Sequence, residues 1–263
     1  MAKIAAFGSA QSYLRHDYSS TSPSQAVTVF CDFDGPIMDV SDRYYQTYQL
    51  GLAEVKAAYQ AQGIEVALHT LSKEQFWQMK QERTPDPEVA LRSGLRGQQI
   101  DLFLERVQHI VNQPGLLSYD QLQPGVRWAL ALLHAQGVKL VLVTLRCQRQ
   151  ATHMLRDYGL IDLFSQIWGA HDDHAAYLNQ ADHKTRLLAQ AIAACNAPRS
   201  TASWMLGDTE ADILAGQAMN IPTIGVTCGI RSQAYLQRFS PTHMHADLLS
   251  AAHFLVAAKQ AVA

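Results

Sequence analysis

Two aspartates follow an apolar run near the start of the chain. Residues 27–31 are mostly apolar and β-branched, and they lead into Asp32 and Asp34 and then into Gly35 and Pro36. An apolar run that stops at two acids and a Gly-Pro pair is typical of a buried strand that ends in a turn. Side chains two residues apart at a strand end share one face, and two carboxylates about 4 Å apart repel by roughly 4 kcal/mol at an effective dielectric of 20. We therefore expect a counter-charge beside them, for which a divalent cation is the natural candidate.

Other polar residues stand where later apolar runs end. The run 138–143 leads into Thr144, and a second run leads through Gly207 into Asp208, with Asp212 close behind. Lys184 begins the helical pattern before that second run. In an open parallel sheet the ligand site lies at the carboxyl ends of the strands. The sequence therefore predicts that these carboxylates, the hydroxyl and the ammonium come together at one edge of a sheet.

The chain after residue 124 alternates between helical and strand patterns. Helical spacing predicts helices at 126–135, 149–158, 184–194 and 210–219, and apolar runs predict strands at 138–143, 166–169, 203–206 and 223–226. Together with the strand at 27–31 this gives five strands separated by helices. That pattern is typical of an α/β fold with a doubly wound, Rossmann-like parallel sheet.

A long helical region separates the first strand from the others. About ninety residues intervene, far more than a crossover connection needs. Their apolar residues recur at helical spacing, with Ser41 as a candidate cap and Ser72 and Gln75 in a capping-box pattern. We therefore predict that an all-helical domain is inserted into the α/β core. The predicted segments are an N-terminal tail at 1–25, the core at 26–42 and 120–263, and the helical cap domain at 43–119.

Composition and charge argue against several classes of protein. The chain has 263 residues, 48% of them hydrophobic, and 21 basic residues nearly balance 23 acidic ones. We expect no nucleic-acid or membrane partner, because such proteins carry clustered lysines and arginines. The four cysteines lack metal-type or redox-type spacing, which is typical of reduced thiols in a cytosol. No apolar run approaches the roughly 20 residues that span a bilayer, and the N-terminus lacks the long apolar region of a signal peptide, so we expect a cytoplasmic protein.

Four motifs, taken in order, resemble those of the haloacid dehalogenase (HAD) superfamily. Asp32 to Gly35 match Asp-x-Asp-Gly, Thr144 ends an apolar strand, Lys184 is the lone lysine, and 207–212 match Gly-Asp-x-x-x-Asp. The resemblance is to the phosphatase branch with a helical cap, is phosphoglycolate-phosphatase-like, and covers about 27–226. It implies a Rossmann-like core with the cap inserted after the first strand.

The resemblance also implies roles for the motif residues. Asp32 would attack phosphorus to give an aspartyl phosphate, while Asp34 would protonate the leaving oxygen and then activate water. The implied cofactor is Mg²⁺, which takes oxygen ligands and offsets repulsion between carboxylate and phosphate. The implied metal ligands are Asp32, the main-chain carbonyl of Asp34 and Asp208, with Asp212 acting directly or through water. The implied phosphate ligands are Thr144 and Lys184.

The sequence departs from the usual family pattern at several places near these motifs. Pro36, Val40, Arg146 and Thr185 stand where the family more often has Thr, Ser, a small amide and Pro, respectively. None of these changes removes a catalytic group. They bear on the local loop geometry and on the substrate.

Three further sets of residues have less direct interpretations. The segment 171–174 is rich in histidine and aspartate, and we expect it to be a solvated loop at the rim of the site. His243 and His245 are expected to lie in a polar connection. Arg92 and Arg96 in the helical region are candidates for substrate selection through a second anionic group, with a solvated helix end as the alternative.

The leading functional hypothesis is a Mg²⁺-dependent phosphatase that acts on a small phosphorylated metabolite. A sugar phosphomutase uses the same site and is the enzymatic alternative. A dehalogenase is less favoured, because it has no need for Asp34 or for the metal-holding Asp208. A regulator that binds phosphorylated ligands without turnover is disfavoured by the intact set of acids, Thr144 and Lys184. The oligomeric state is left open.

Overall fold

The architecture is taken from a computed structural model that describes residues 27–173, 175–197 and 202–262. The predicted tail at 1–25 and His174 lie outside the described residues. The strands are β1 (Thr28–Cys31), β2 (Met38–Asp39), β3 (Gln121–Leu122), β4 (Lys139–Cys147), β5 (Gln166–Ala170), β6 (Ser203–Gly207), β7 (Thr223–Val226) and β8 (His243–His245). The longer helices are α1 (Ser41–Gln60), α2 (Lys73–Gln81), α3 (Asp86–Arg92), α4 (Gln98–Ile110), α6 (Val126–Ala135), α7 (Gln148–Asp157), α9 (Ala181–Cys195), α10 (Glu210–Ala218) and α12 (Leu248–Val262). The short helices are α5 (Pro114–Leu117), α8 (Ala175–Leu178) and α11 (Gln233–Gln237), with a 3₁₀ turn at Ile161–Leu163.

The main sheet has six strands in the order β5-β4-β1-β6-β7-β8, and all neighbouring pairs are parallel. Side chains of β1 alternate between the two faces: Val29 and Cys31 pack into one apolar core, and Phe30 packs into the other. On the outer surfaces of these cores α6 packs against α12, and α9 packs against α10. This confirms the predicted α/β fold and places β1 between β4 and β6, where chain order switches direction.

The sixth strand was missed in the sequence. His243 and His245 were expected in a polar connection, but they belong to β8, which pairs with β7 through Ile224–His243 and Val226–His245. The expectation is wrong because a three-residue, half-buried strand with polar side chains shows no apolar run. Its stability comes from pairing along β7 and from ring contacts of both histidines with Phe254, at 4.3 and 5.1 Å between ring centroids.

Helices α1 to α5 occupy the long segment between β1 and β4, and we call residues 41–117 the helical insert. No strand occurs within 41–117, a range that the structure describes in full. Its two connections to the core pair as an antiparallel ribbon of β2 and β3. Helix α1 packs against α4, and Gly51 allows this approach, since a Cβ there would lie 2.7 Å from Val107.

The sequence predicts helix caps at the starts of α1 and α2, and one of the two forms as predicted. Ser72 and Gln75 form the predicted capping box at the start of α2. Ser41 does not cap α1 as expected. It is the first helical residue, and its N–H donates to Asp39 Oδ1 at 2.8 Å, so Asp39 satisfies this orphan donor instead. Among the described residues, no helix is long and apolar enough to cross a bilayer.

Candidate active site

The turn after β1 brings Asp32 and Asp34 to the carboxyl edge of the sheet. The N–H of Asp32 donates to Leu206 O at 2.9 Å, which extends the pairing of β1 with β6 beyond the last strand residue. Gly35 follows with a φ of +94°, a conformation that costs an L side chain energy. A Cβ at Gly35 would also overlap the carboxylate of Asp208, as would a Cβ at Gly229. The two glycines therefore let backbone close around Asp208.

Three acids form a buried cluster at the ends of β1 and β6. Asp32, Asp208 and Asp212 each offer a carboxylate oxygen, and these oxygens lie within 4.8 Å of one another. Asp208 Oδ2 accepts a hydrogen bond from Ile230 N at 2.6 Å, whereas no described group donates one to Asp208 Oδ1. Burial, reinforced by the charge of Asp212, raises the pKa of Asp32 to about 7 against the opposing effect of Lys184. Burial, with the charges of Asp212 and Asp32, also raises the pKa of Asp208 well above its usual value.

This cluster fits a hard divalent cation. Mg²⁺ and Ca²⁺ are bound by carboxylate and carbonyl oxygens, and here the donors are carboxylates with a buried oxygen that lacks a described hydrogen-bond donor. Asp212 is held in place by a capping box: its Oδ2 accepts from Thr209 N at 3.1 Å and from Thr209 Oγ1 at 2.8 Å. Its Oδ1 lies 2.7 Å from Lys184 Nζ.

Lys184 lies between two of these acids. Its Nζ is 2.8 Å from Asp32 Oδ1 and 2.7 Å from Asp212 Oδ1, and its side chain is 1% exposed. Although burial lowers the pKa of this ammonium, the charges of Asp212 and Asp32 outweigh that effect and raise it above the usual value. Lys184 is therefore a permanent positive charge beside Asp32.

Thr144 lies on the other side of β1, near the end of β4. The pairing of β4 with β5 shifts register between Thr144 and Cys147, so the strand is irregular where it reaches the site. Within this irregularity Arg146 N donates to Thr144 Oγ1 at 3.1 Å. The structure thus brings together the six residues that the motifs single out: Asp32, Asp34, Thr144, Lys184, Asp208 and Asp212.

Asp34 has different partners from Asp32. Its Oδ2 is 3.2 Å from Arg43 NH2, and its Oδ1 is 2.7 Å from Arg146 Nε. Both guanidinium groups also pair with Asp120, at 2.8 and 2.5 Å. Arg43 and Asp120 were not identified from the sequence, and Arg146 was noted only as a departure from the family pattern. For Arg43 the sequence offers one signal: this charged residue is at helical spacing with Thr47 and Gly51, on the buried face of α1.

A cavity opens from these residues toward the helical insert. Its core side includes Asp32, Asp34, Thr144 and Asp208. Its insert side includes Tyr44, Lys80, Arg83 and Thr84. The cavity therefore lies between the acid cluster and the insert.

The insert wall of the cavity is tied to the core by Asp86. Tyr177 on α8 donates its hydroxyl to Asp86 Oδ2 at 2.6 Å, and Lys80 Nζ is 2.8 Å from Asp86 Oδ1. The rings of Tyr44 and Tyr177 stack with centroids 6.1 Å apart, and the Lys80 ammonium lies within 5.6 Å of both centroids. Burial lowers the pKa of Lys80.

A second contact holds the end of α2 against the core. Arg231 NH1 donates to Lys80 O at 2.9 Å, and Arg231 Nε pairs with Glu210 Oε2 at 2.9 Å. Arg83 pairs with the other oxygen of Glu210 at 3.1 Å. These contacts place Lys80 and Arg83 over the site.

Arg92 and Arg96 are not among the described residues that line this cavity. Arg92 is exposed and pairs with Glu88 one helical turn away, at 2.6 Å. Arg96 is also exposed, and its guanidinium donates to Leu91 O and Leu95 O. Both arginines therefore lie at the surface of the insert, in line with the alternative of a solvated helix end. This is because the end of α2, rather than the end of α3, faces the core.

The loop after β5 was expected at the rim of the site. His171, Asp172 and Asp173 are exposed. The backbone of Asp173 accepts a hydrogen bond from Asn112 of the insert, and its side chain accepts one from Gln150 at 3.2 Å. The loop thus bridges α7 and the insert.

Comparison with known protein families agrees with this geometry. A family model described as haloacid dehalogenase-like hydrolase matches residues 29–226, which extend from β1 to the end of β7. The chain belongs to this family. The four motifs of the HAD-like hydrolase and the helical insert all fall within the matched range.

Individual relatives share at most 30% sequence identity with the aligned part of this chain. A phosphoglycolate phosphatase from Psychrobacter arcticus is 30% identical over 51% of this chain and 56% of its own length. A pyrophosphatase, PpaX, from Halalkalibacterium halodurans is 29% identical over 46% of this chain and 53% of its own length. The HAD-like hydrolase thus matches these relatives over only about half of their length. A solved HAD-superfamily hydrolase of subfamily IA from Geobacter sulfurreducens shares the fold, with a TM-score of 0.60 and 18% identity over 90% of this chain and 100% of that one.

Proposed function

We propose that this HAD-like hydrolase is a Mg²⁺-dependent phosphatase that acts on a small phosphorylated metabolite through an aspartyl-phosphate intermediate. One observation carries the proposal: Asp32 and Asp34 border one cavity but have separate charged partners. Asp32 belongs to the acid cluster and pairs with Lys184, whereas Asp34 lies between two arginines. Two carboxyl groups in different surroundings can take different roles, one as nucleophile and one as acid and base.

Asp32 is assigned to nucleophilic attack. Its Oδ1 accepts from Phe33 N at 2.7 Å and pairs with Lys184, so Oδ2 is the oxygen that we assign to attack on phosphorus. The new bond joins Asp32 Oδ2 to phosphorus as the bond from phosphorus to the leaving oxygen breaks, and Asp34 gives that oxygen its proton. Asp34 then removes a proton from water as the water oxygen attacks phosphorus. This second step restores the Asp32 carboxylate and releases inorganic phosphate.

The remaining groups bind charge. Lys184 and Thr144 would hold the phosphoryl oxygens beside Asp32, where negative charge grows in the transition state. Asp32, the main-chain carbonyl of Asp34, Asp208 and Asp212 would hold Mg²⁺. When bound there, the ion supplies the positive charge that lets a carboxylate approach a phosphate.

The helical insert is proposed to act as a cap that excludes bulk water and selects the substrate. Substrate selection is assigned to Lys80 and Arg83, which line the cavity, rather than to Arg92 and Arg96, which lie at the surface. The phosphoglycolate phosphatase relative supports a small substrate, because its name specifies a small phosphorylated acid.

Phosphate release from a panel of phosphate monoesters, with MgCl₂ or with EDTA, tests the proposal. We expect turnover with Mg²⁺ that is lost on chelation. Asp32→Asn should lower kcat by roughly 10³-fold or more while the circular dichroism spectrum stays unchanged. Asp162→Asn, which removes an exposed carboxylate outside the site, is the matched control.

Three outcomes would contradict this assignment. No phosphate release from any ester would reject phosphatase activity. Transfer of the phosphoryl group between sugar hydroxyls without phosphate release would favour the phosphomutase. Near-normal turnover of Asp32→Asn would require another nucleophile.

A further inference from the structure

The Asp34 carboxylate belongs to a buried network of four charged side chains. Arg43 and Arg146 each contact Asp34 and Asp120, and the side chains of the two arginines and of Asp120 are at most 2% exposed. With Asp34 ionised, two guanidinium groups and two carboxylates sum to zero formal charge, and the network can stay buried without a further counter-ion. A proton on Asp34 makes the sum +1, so transfer of that proton to the leaving oxygen restores the charge balance, whereas removal of a charged neighbour of Asp34 would leave an uncompensated buried charge.

Each guanidinium is held by more than one partner. Arg43 donates from Nε to Asp120, from NH2 to Asp34, and from NH1 to Val111 O at 3.1 Å and Asn112 Oδ1 at 3.3 Å. Arg146 contacts Asp34 through Nε and Asp120 through NH2, and its guanidinium carbon lies 5.4 Å from the centre of the Phe33 ring. A planar fork with several fixed donors restricts the orientation of a carboxylate far more than a flexible lysine does.

The network also joins the elements that meet at the site. Arg43 lies in the first turn of α1, Asp120 lies just before β3, and Arg146 lies near the end of β4. Segments at both ends of the helical insert and a central strand of the core therefore hold one side chain, that of Asp34. A residue that binds a metal only through its main-chain carbonyl would not need its side chain to be held in this way.

We propose that Arg43, Arg146 and Asp120 are positioning residues that hold the Asp34 carboxyl group for proton transfer to the leaving oxygen of the substrate. This inference rests on the proposed phosphatase function. In that step the proton moves from Asp34 to the leaving oxygen, which keeps the electron pair of the broken bond to phosphorus. The arginines and Asp120 neither gain nor lose a proton.

The dependence of kcat/KM on the leaving group tests the positioning role. This parameter includes only steps up to departure of the leaving group, so hydrolysis of the common aspartyl phosphate does not enter it. An alkyl phosphate needs a proton on its leaving oxygen, whereas p-nitrophenyl phosphate needs it far less. For Arg146→Lys and Asp120→Asn we expect kcat/KM to fall about 10- to 100-fold for the alkyl ester and less than about threefold for the aryl ester.

Arg106→Lys is the control, because Arg106 pairs with Glu54 at the surface of the insert and does not line the cavity. It should leave kcat/KM for both esters unchanged. A double-mutant cycle gives a second readout. In an Asp34→Asn background, Arg146→Lys should cause no further loss on the alkyl ester, because the group that it positions is gone.

The outcomes separate this inference from the function on which it rests. No wild-type turnover of either ester would reject the phosphatase. Normal wild-type turnover with equal losses on both esters, or additive losses in the cycle, would reject the positioning role alone. If Arg146→Lys fails to fold, Arg43→Lys decides, since it also alters a contact with Asp34 but keeps the formal charge of the network.

Discussion

Replacing Asp208 with asparagine should separate the metal-free stability of the protein from its response to Mg²⁺. Carboxylate oxygens of Asp32, Asp208 and Asp212 lie within 4.8 Å of one another, a separation at which two unit charges repel by roughly 3 kcal/mol at an effective dielectric of 20. Asparagine keeps the size of the side chain and an oxygen that can accept from Ile230 N. We therefore expect Asp208→Asn to stabilise the metal-free fold by roughly 1 to 3 kcal/mol at alkaline pH.

The same cluster predicts how metal-free stability depends on pH. Burial raises the pKa of Asp32 from 3.8 to about 7, so the folded protein keeps a proton that the unfolded chain has lost in this interval. The free energy of unfolding of the metal-free protein should therefore fall as pH rises from about 4 to about 7, by roughly 4 kcal/mol for this group. Because Mg²⁺ must displace the proton, its stabilising effect should grow over the same interval.

Thermal unfolding with MgCl₂ or with EDTA measures both effects. A ligand at a hundred times its Kd stabilises by about 2.7 kcal/mol, which raises Tm by about 5 to 10 °C for a chain of this size. We expect this rise in the wild type near pH 8, a smaller one near pH 5.5, and less than about 2 °C in Asp208→Asn. Asp101→Asn, which removes an exposed carboxylate on α4, should respond as the wild type does.

Two results would refute this reasoning. An equal rise of Tm in Asp208→Asn and in the wild type would place the metal elsewhere. If the free energy of unfolding of the metal-free protein does not fall between about pH 4 and about pH 7, burial in this cluster does not raise the pKa of Asp32.

Two further variants test the close packing around Asp208 and the wall of the cavity. Gly229→Ala places a Cβ into the Asp208 carboxylate and should weaken activation by Mg²⁺ about 10- to 100-fold in a titration of activity, whereas Gly115→Ala, which has open space around it, should not. Lys80→Met should raise KM for the best metabolite of the panel more than for p-nitrophenyl phosphate, whereas Arg92→Met, at the surface of the insert, should change neither. Equal KM changes for Lys80→Met on both esters would contradict a role in selection.

Local patterns in the sequence account for most of the fold and of the acid cluster. The strand Thr223–Val226 and the helix Val126–Ala135 have the predicted bounds, and the capping box at Ser72 forms as expected. The sequence signals for these features are local, because each lies within the element itself or the residues next to it. The acid cluster was also predictable, because parallel strands place their carboxyl ends at one edge, so polar residues at those ends must meet.

Features that depend on contacts between distant residues were not predictable in this way. Asp120 is 77 residues from Arg43 and 26 from Arg146, and nothing near Asp120 in the sequence marks it as buried. The sequence also does not show which end of the insert faces the core, so Arg92 was considered for selection and Lys80 was not. Strand β8 depends on pairing with the edge of β7 and on ring contacts with Phe254, neither of which its short polar segment indicates.

The charges at this site divide into two groups with different requirements. Three carboxylates and the Lys184 ammonium sum to a formal charge of −2, which one divalent cation balances. Asp34 and Asp120 with their two arginines sum to zero and need no ion. Loss of Asp208 should therefore change the response to Mg²⁺ without making the rate more sensitive to the leaving group, and loss of the Asp120 charge should do the reverse. Because each variant has a readout that the other leaves unchanged, the pair tests separately the metal-binding role proposed for Asp208 and the proton-transfer role proposed for Asp34.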